Sequence, residues 1–403
     1  MLKYIPYIFT ILKMMEVSIM EIAKGIKYVG VSDKNLDFFE GQYKVPNGMS
    51  YHSYIIMDEK IAVLDTVDAR FKDEWLKKIE TELGKKEPDY LIVHHMEPDH
   101  SSNIKNFLDK YKNCKVVSSF AAFAMMKNYF DTAFSDRQVV IKEGDKLELG
   151  EHTLNFIAAP MVHWPEVHIS YEEKEGILFS ADAFGKFGVM GTNEPWDDEA
   201  RRYYIGIVGM HGALVQSLLK KAANLKINKI CPLHGEIIDK DFSHYFDLYD
   251  KWSGFKKEKD GVCIAYTTVY GHMREAVNML SDLLKQKGKN VEVFDLARCD
   301  MSEALAKAFA YENVVLATTT YNNGIFPIMH DFVDRLIEHK IQNKKIGFME
   351  GGSWAPQAGE ILTKMFKDLP NTKILSNVVT VLGSLNSESK DKISKLVEEL
   401  YLI

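Results

Sequence analysis

The chain has 403 residues, of which 46% are hydrophobic, 11% aromatic and 27% charged, and its formal net charge is −7. This length predicts two domains, and the composition excludes an intrinsically disordered protein. An acidic balance without a dense Lys/Arg stripe argues against a nucleic-acid partner, and four scattered cysteines without a CxxC pair argue against a disulfide framework and favour a reducing cytoplasm (Cys114, Cys231, Cys263, Cys299).

The first stretch, MLKYIPYIFTILKMMEVSIM, has a short apolar centre from Tyr4 to Leu12, with a lysine on each side. It is shorter than the roughly 18 to 20 apolar residues that span a bilayer, and no small-x-small cleavage site follows it. We expect a dispensable extension over residues 1–20, or a start assigned too early, with a targeting element as the alternative. No membrane association is expected.

Residues 21–254 contain more predicted strands than helices. SYHSYIIMD and KIAVLDTV predict a strand pair, and FKDEWLKKIETEL predicts a helix with Phe71, Trp75, Ile79 and Leu83 on one face. Further strands are predicted at DYLIVHH, KVVSS, RQVVIKEGDKLELG, HTLNFIAAP and GILFSADA, and one long helix at ARRYYIGIVGMHGALVQSLLKKAANL. Several strands per helix favour a sandwich of sheets with helices outside.

Side chains with metal-binding chemistry follow the apolar runs of this region. In HHMEPDH, an extended chain would place His95, Glu97 and Asp99 on one face, with His100 pointing elsewhere and His94 left to pack or to support the loop. Three more candidates end later runs: His163 in APMVHWPE, Asp182 in FSADAFG and His234 in CPLHG. A single histidine after a strand is more often a surface residue, but four such segments in order favour a centre for two metal ions.

After the charged stretch WSGFKKEKDG, five short apolar strands alternate with helices, which predicts a doubly wound parallel sheet over residues 255–403. The first strand ends in a Thr- and Gly-bearing loop whose N–H groups can surround a phosphate. This loop, AYTTVYGHMREA, and the loops after the third and fourth strands, ATTTYNNGIFP and MEGGSWAP, resemble the FMN-binding loops of flavodoxins. The predicted contacts are Thr267, Thr268, Val269, Tyr270, Gly271, His272, Met273, Thr320, Tyr321, Asn322, Asn323, Gly324, Ser353, Trp354 and Ala355.

Two alternatives apply to this half of the chain. A flavodoxin-like domain without cofactor would have to explain the NNG and SW segments as ordinary turns. Direct dinucleotide binding is not expected, because the GxGxxG pattern is absent.

HxExDH, VHWPE, SADAFG and CPLHG together resemble the metallo-β-lactamase fold in its flavodiiron version, and the resemblance extends over nearly the whole chain. It implies an α/β protein, with a metallo-β-lactamase-like αββα sandwich (21–254) followed by a flavodoxin-like FMN domain (255–403). It also implies a ligand set for two irons. His95, Glu97 and His163 would bind one iron, Asp99, His100 and His234 the other, and Asp182 would bridge them.

The position of Glu97 distinguishes the implied function from its main alternative. Hydrolases of this superfamily usually carry histidine there, and a hard carboxylate suits redox-active iron better than zinc. The resemblance therefore implies reduction of oxygen to water, of nitric oxide to nitrous oxide, or of both, with electrons passing through FMN. The alternatives are a zinc-dependent hydrolase with an accessory flavodoxin domain and an electron-carrier module with a structural metal.

The same resemblance implies partners. Rubredoxin or another separate donor would supply electrons, with reduced F420 a second candidate, because no rubredoxin module is recognised in this sequence. The implied assembly is a head-to-tail homodimer or a dimer of dimers.

Several positions depart from the family pattern. Glu40 stands where some members have a further histidine, His52 where asparagine is commoner, and Met273 where a threonine is common. Tyr203 or Tyr204 is expected to place a phenol near the bound gas, with a packing role on an amphipathic helix as the alternative.

Overall fold

The computed structural model of the protein describes residues 19–401. Within that range, two sheets of seven and one of five strands are the largest, beside two small two-stranded sheets. The predicted extension lies outside the described residues apart from Ile19 and Met20. None of the described helices combines the length and apolarity needed to cross a bilayer.

The first two sheets pack face to face. A cluster of buried side chains, including Ile26, Tyr54 and Phe156, fills the space between them. The first sheet contains Glu21–Ala23, Ile26–Tyr28, Tyr54–Ile56, Ala62–Leu64, Tyr90–Ile92, Lys115–Ser119 and Gln138–Ile141, and the second contains Lys146–Glu148, Thr153–Ala158, His168–Glu172, Ile177–Phe179 and Lys229–Cys231, each in that order across the sheet. The small sheets pair Val31–Asp33 with Met49–Tyr51 and Phe38–Phe39 with Tyr43–Lys44.

The strand predictions for this half are mostly confirmed. Tyr54–Ile56 pairs antiparallel with Ala62–Leu64, as the sequence predicts. The segment RQVVIKEGDKLELG differs, because it forms two strands in different sheets. A turn closed by the bond from Asp145 N–H to Lys142 O separates them and carries the chain from one sheet to the other.

Helices cover the outer faces of the sheets. The helix predicted at FKDEWLKKIETEL is confirmed over Lys72–Leu83, with Trp75, Ile79 and Leu83 buried on one face and Phe71 as the N-cap residue. The helices are α1 (Lys72–Leu83), α2 (Pro98–Ser101), α3 (Ile104–Lys110), α4 (Phe120–Phe130), α5 (Trp196–Tyr203), α6 (Gly212–Ala222), α7 (Phe242–Ser253), α8 (His272–Gln286), α9 (Met301–Ala310), α10 (Pro327–Glu338), α11 (Ala358–Phe366) and α12 (Ser387–Tyr401).

The prediction of a single long helix at ARRYYIGIVGMHGALVQSLLKKAANL is wrong. Between α5 and α6 the chain forms a π-helical turn over Tyr204–Val208 and a 3₁₀ turn over Gly209–His211. A Cβ on Gly206 would lie only 2.8 Å from the Tyr43 ring. The Tyr43 hydroxyl donates a hydrogen bond to Gly206 O at 3.0 Å. The Tyr43 hydroxyl therefore provides a hydrogen-bond donor for a backbone carbonyl within the wider π-helical turn.

The third sheet is parallel apart from one two-residue strand, as the sequence predicts. Its main strands run in the order 2-1-3-4-5, the flavodoxin-type arrangement. They are Lys259–Tyr266, Val291–Asp295, Tyr311–Tyr321, Lys345–Gly352 and Val379–Leu382, with Gly324–Ile325 and Lys373–Ile374 as short additions. The domain boundary at 254/255 stays a prediction, since one hydrophobic cluster joins α5–α7 to α9 and α10 across it.

Candidate metal centre and flavin pocket

The structure brings all seven predicted metal ligands together in two groups. In the first, His95 Nε2 and His163 Nε2 lie 3.3 Å apart, and the Glu97 carboxylate lies 3.3 and 3.0 Å from them. In the second, His100 Nε2 and His234 Nε2 lie 3.0 Å apart, and Asp99 Oδ2 lies 3.3 Å from each.

Asp182 lies between the two groups. Its Oδ2 is 3.2 Å from both His95 Nε2 and His163 Nε2. Its Oδ1 is 3.4 Å from His100 Nε2 and 3.6 Å from His234 Nε2. One carboxylate therefore presents a different oxygen to each group.

The loop HHMEPDH is not extended throughout, as the sequence analysis assumed when it placed Glu97 and Asp99 on one face. Glu97 ends the extended part, and Pro98 begins the short helix α2, which carries Asp99 and His100. Proline is favoured at the first helical position, where its missing N–H has no partner to lose. The turn directs Asp99 away from Glu97 and into the second group.

The donor atoms fit metal ions. Both carboxylate oxygens of Asp99 and Asp182 are buried without a hydrogen-bond donor, although buried polar atoms are normally paired. His95 Nδ1 and His234 Nδ1 donate to the Glu166 carboxylate (2.9 Å) and to Ser50 O (2.7 Å), which leaves each Nε2 lone pair free. Four imidazoles and three carboxylates without thiolate form a set suited to iron.

The electrostatics of the groups also favour a cation. Burial lowers the pKa of His163, but the adjacent carboxylates of Asp182 and Glu97 outweigh it and raise that pKa to about 9. Burial raises the pKa of Asp182, but the surrounding histidines hold it well below its usual range. The buried carboxylates thus require positive charge, which two bound metal ions would provide.

Sequence reasoning missed the residues that orient the ligands. Glu166 Oε1 accepts from both His95 Nδ1–H and Met96 N–H, each at 2.9 Å. Asp65 accepts from the backbone N–H of His94 at 2.7 Å and from its Nδ1–H at 2.6 Å, which confirms a supporting role for His94. The glutamate of VHWPE, two residues beyond a tryptophan next to a candidate ligand, was the signal that could have identified Glu166.

The two tyrosine candidates differ in position. The Tyr203 ring lies 5.6 Å from the His234 ring, and burial together with Asp182 and Glu97 raises the pKa of its phenol well above the usual value. The prediction for Tyr204 is corrected. Consecutive residues on a helix point about 100° apart, and Tyr204 packs instead against Tyr249 and Trp252, at 5.2 and 5.5 Å between ring centroids.

The two departures near the centre also differ. The Glu40 carboxyl neighbours Glu97, and desolvation together with the charge of Glu97 raises the pKa of Glu40 to about 7. His52 is fully buried, and its Nδ1 donates to Pro232 O at 2.7 Å in the loop that carries His234. His52 therefore supports that loop from behind.

A cavity of about 550 Å³ opens at the carboxyl edge of the third sheet, within the usual size range of cofactor sites. The N-terminus of α8 lies beside it, where helix N–H groups favour an anion such as a phosphate. Exposed Tyr270 and Trp354 line its rim, with 90% and 81% of their surfaces accessible. The phosphate-binding edge and aromatic rim suit FMN.

Most of the predicted flavin contacts line this cavity, with three exceptions. The Thr267 hydroxyl is buried against the Thr318 hydroxyl at 2.8 Å, so it lies inside the sheet. Gly324 pairs with Tyr321 in a short hairpin, and Gly271 is the N-cap residue of α8, next to the cavity. Residues that sequence reasoning missed are Thr319, Gly351, Gly352, Val381 and Gly383.

Comparisons with known proteins agree with this architecture. Residues 49–235 match the family model described as "ODP family beta lactamase". A protein of Moorella thermoacetica named nitric oxide reductase is 30% identical over 86% of this chain and 89% of its own length. The fold is similar to rubredoxin oxygen:oxidoreductase from Desulfovibrio gigas (TM-score 0.88, 23% identity, 95% of this chain and 98% of that one) and to the flavodiiron protein from Giardia intestinalis (TM-score 0.86, 23% identity, 97% of each chain).

Proposed function

This chain belongs to the flavodiiron protein family, and from that premise we propose that it reduces oxygen to water, nitric oxide to nitrous oxide, or both, with electrons passed through FMN to a non-haem di-iron site. The observation that carries the proposal is the placement of Asp182 between two histidine–carboxylate groups. The proposed ligands are His95, Glu97 and His163 for one iron and Asp99, His100 and His234 for the other, with Asp182 shared.

The two irons would supply one-electron redox chemistry, and FMN electrons in ones or twos. The chain's own residues orient and enclose the site. Glu166 and Ser50 O hold the ligand histidines with Nε2 free, and the buried Tyr203 contributes a phenol on the His234 side. We propose that Tyr203 donates a hydrogen bond to the gas.

A zinc-dependent hydrolase with an accessory flavodoxin domain is the other candidate, and two features disfavour it. Glu97 supplies a third carboxylate where such hydrolases use a neutral imidazole, and the flavin-sized cavity has no role in hydrolysis.

Partners and location follow as finer proposals. We propose that rubredoxin, named in the Desulfovibrio gigas relative, or a donor such as reduced F420 supplies electrons. The exposed rim residues Tyr270 and Trp354 support a head-to-tail homodimer, or a dimer of dimers, in which a second chain covers the flavin. Four cysteines without a disulfide support a cytoplasmic location.

Anaerobic stopped-flow mixing of the reduced protein with oxygen and, separately, with nitric oxide tests the function. We expect rapid flavin reoxidation by at least one gas, with water or nitrous oxide as product. Asp182→Ala is the matched variant, because it should keep FMN and lose iron. Hydrogen peroxide as the main product, or full rates in Asp182→Ala, would show that the flavin reacts alone and would sink the proposal.

A further inference from the structure

Two adjacent arginines near the end of α5 are buried, Arg201 at 1% and Arg202 at 3% exposure. Charged side chains are rarely buried unless they are paired. Both arginines lie where α5, beside the metal centre, packs against α9, which flanks the third sheet. Their side chains therefore cross the boundary between the two halves of the molecule.

Arg202 joins three segments of the chain. Its guanidinium donates to Ser302 Oγ at the start of α9 (3.1 Å), to Lys44 O (2.7 Å) and to Glu199 Oε2 one turn earlier on α5 (2.6 Å). Asp300, the N-cap of α9, lies 3.7 Å away. The orientation of this guanidinium therefore depends on the position of α9.

The guanidinium of Arg202 also packs over the Phe187 ring, 4.6 Å from its centroid. Phe187 is buried, and its ring contacts Tyr203 and Phe39 edge-on at 5.2 and 5.8 Å. Those two rings lie 5.6 and 5.5 Å from His234. Continuous ring contacts therefore connect Arg202 to a candidate metal ligand.

Arg201 provides a natural comparison. It is equally buried at the same boundary, and it donates to Glu258 (2.6 Å) and Asp198 (2.7 Å). Its aromatic neighbour is Trp252, at 5.9 Å, in the core on the other side of α5. Arg201 thus joins the two halves without contacting the rings around His234.

We propose that Arg202 is a positioning residue that connects α9, in the flavin half of the molecule, to the aromatic wall of the metal centre. Held by Ser302, its guanidinium fixes Phe187, and Phe187 fixes Tyr203 and Phe39 against His234. The inference rests on the metal-binding part of the proposed function. It adds a dependence of the metal site on α9 that the ligand set itself does not require.

Binding of Co(II) to the full-length protein with flavin bound tests this role, since Co(II) accepts nitrogen and oxygen ligands and its ligand-field absorption reports coordination geometry. We expect Arg202→Met to weaken Co(II) binding about tenfold, as for other residues that orient metal ligands, and to change the ligand-field bands. Arg201→Met should lower thermal stability to a similar extent and leave the bands unchanged. Ser302→Ala should shift the bands in the same direction as Arg202→Met.

Equal changes in the Arg201 and Arg202 variants, or unchanged bands in Arg202→Met, would overturn the inference. If Arg202→Met does not fold, Ser302→Ala provides the test. Co(II) ligand-field bands identical to those of the wild type in Ser302→Ala would then contradict the inference. A wild-type protein that takes up no Co(II) would instead overturn the proposed metal site, so the two failures are distinguishable.

Discussion

Two buried histidine–glutamate pairs have the same geometry in different surroundings. His95 Nδ1 lies 2.9 Å from Glu166 Oε1, and His152 Nδ1 lies 2.9 Å from Glu172 Oε1. The other nitrogen of His95 faces the first metal group, whereas that of His152 lies beside the backbone near Gly25. Only the first pair therefore has a ligand to orient.

Glu166→Gln should lower metal affinity about 10- to 100-fold, because an amide holds the His95 tautomer less firmly than a carboxylate. Iron or Co(II) titration in a metal buffer measures the change. Glu172→Gln is the control, since it alters an equivalent buried pair and should leave the affinity unchanged. Equal affinities in the two variants would contradict an orienting role.

Lys344 gives the protein a pH-dependent stability. It is 3% exposed, its ammonium donates to Phe309 O and Tyr311 O at 2.6 Å, and burial lowers its pKa to about 7. Lysine in the unfolded chain titrates near 10.4, so the unfolded state binds more protons between about pH 7 and 10. Stability should therefore rise with pH across this window, by up to about 1.4 kcal/mol per unit.

Lys344→Met isolates this contribution. The free energy of unfolding of the wild type minus that of the variant should increase from pH 7 to pH 10 and be flat below pH 7, where both states are protonated. Urea unfolding at a series of pH values measures it. A difference that does not change with pH would mean that the lysine keeps its ordinary pKa in the fold.

At the scale of elements, the turn between α5 and α6 depends on a small residue. A Cβ on Gly206 would lie 2.8 Å from the Tyr43 ring, whereas the atom nearest to a Cβ on Gly209 is 3.7 Å away. Gly206→Ala should destabilise the protein by about 1 to 3 kcal/mol through overpacking. Gly209→Ala should be neutral or stabilising by about 0.4 to 1 kcal/mol. Thermal unfolding of both variants tests the contact with Tyr43. Equal changes in melting temperature in the two variants would contradict it.

Two glycines at the ends of α8 allow the effect of backbone strain to be distinguished from an effect on flavin binding. Gly271 (φ +99°) and Gly288 (φ +80°) both have open space where a Cβ would lie, so alanine at either should cost about 1 to 2 kcal/mol of backbone strain. Gly271→Ala should also weaken FMN binding about tenfold, or about 1.4 kcal/mol. Flavin titration followed by fluorescence measures this, and an equal loss in Gly288→Ala would assign the effect to stability alone.

Sequence patterns predicted the helices, strands and candidate metal ligands better than the tertiary contacts between elements. His163, Asp182 and His234 were identifiable because each polar group follows an apolar run in the sequence. Val381 and Gly383 line the flavin cavity, but they lie within and just after a strand with no distinctive residue type. Arg202 resembles any charged residue of an amphipathic helix, because its burial depends on α9, about a hundred residues away in the chain.

At the scale of the whole molecule, one hydrophobic cluster joins the metal-binding and flavin-binding halves. It includes Tyr204, Val215 and Trp252 on one side and Phe309 and Leu336 on the other. The alternation of predicted strands and helices indicated two sheet systems. It gave no indication that their helices share a core.

This shared core predicts cooperative unfolding. Removing the metals with a chelator should lower the melting temperature of both halves together, because ligand binding stabilises the native state by mass action and the cluster transmits the loss. Circular dichroism and release of flavin fluorescence should give the same midpoint before and after chelation. A shift in circular dichroism alone would mean that the flavin half unfolds independently.

The placement of Asp182 has a consequence for how the centre fills. A metal ion bound at either group would orient the shared carboxylate for the other group. We expect this orientation to outweigh the repulsion between the two cations, so that the second ion binds more readily than the first and partly filled chains are scarce. Bulk iron content therefore counts complete centres, and catalytic rate should scale in direct proportion to it rather than with its square.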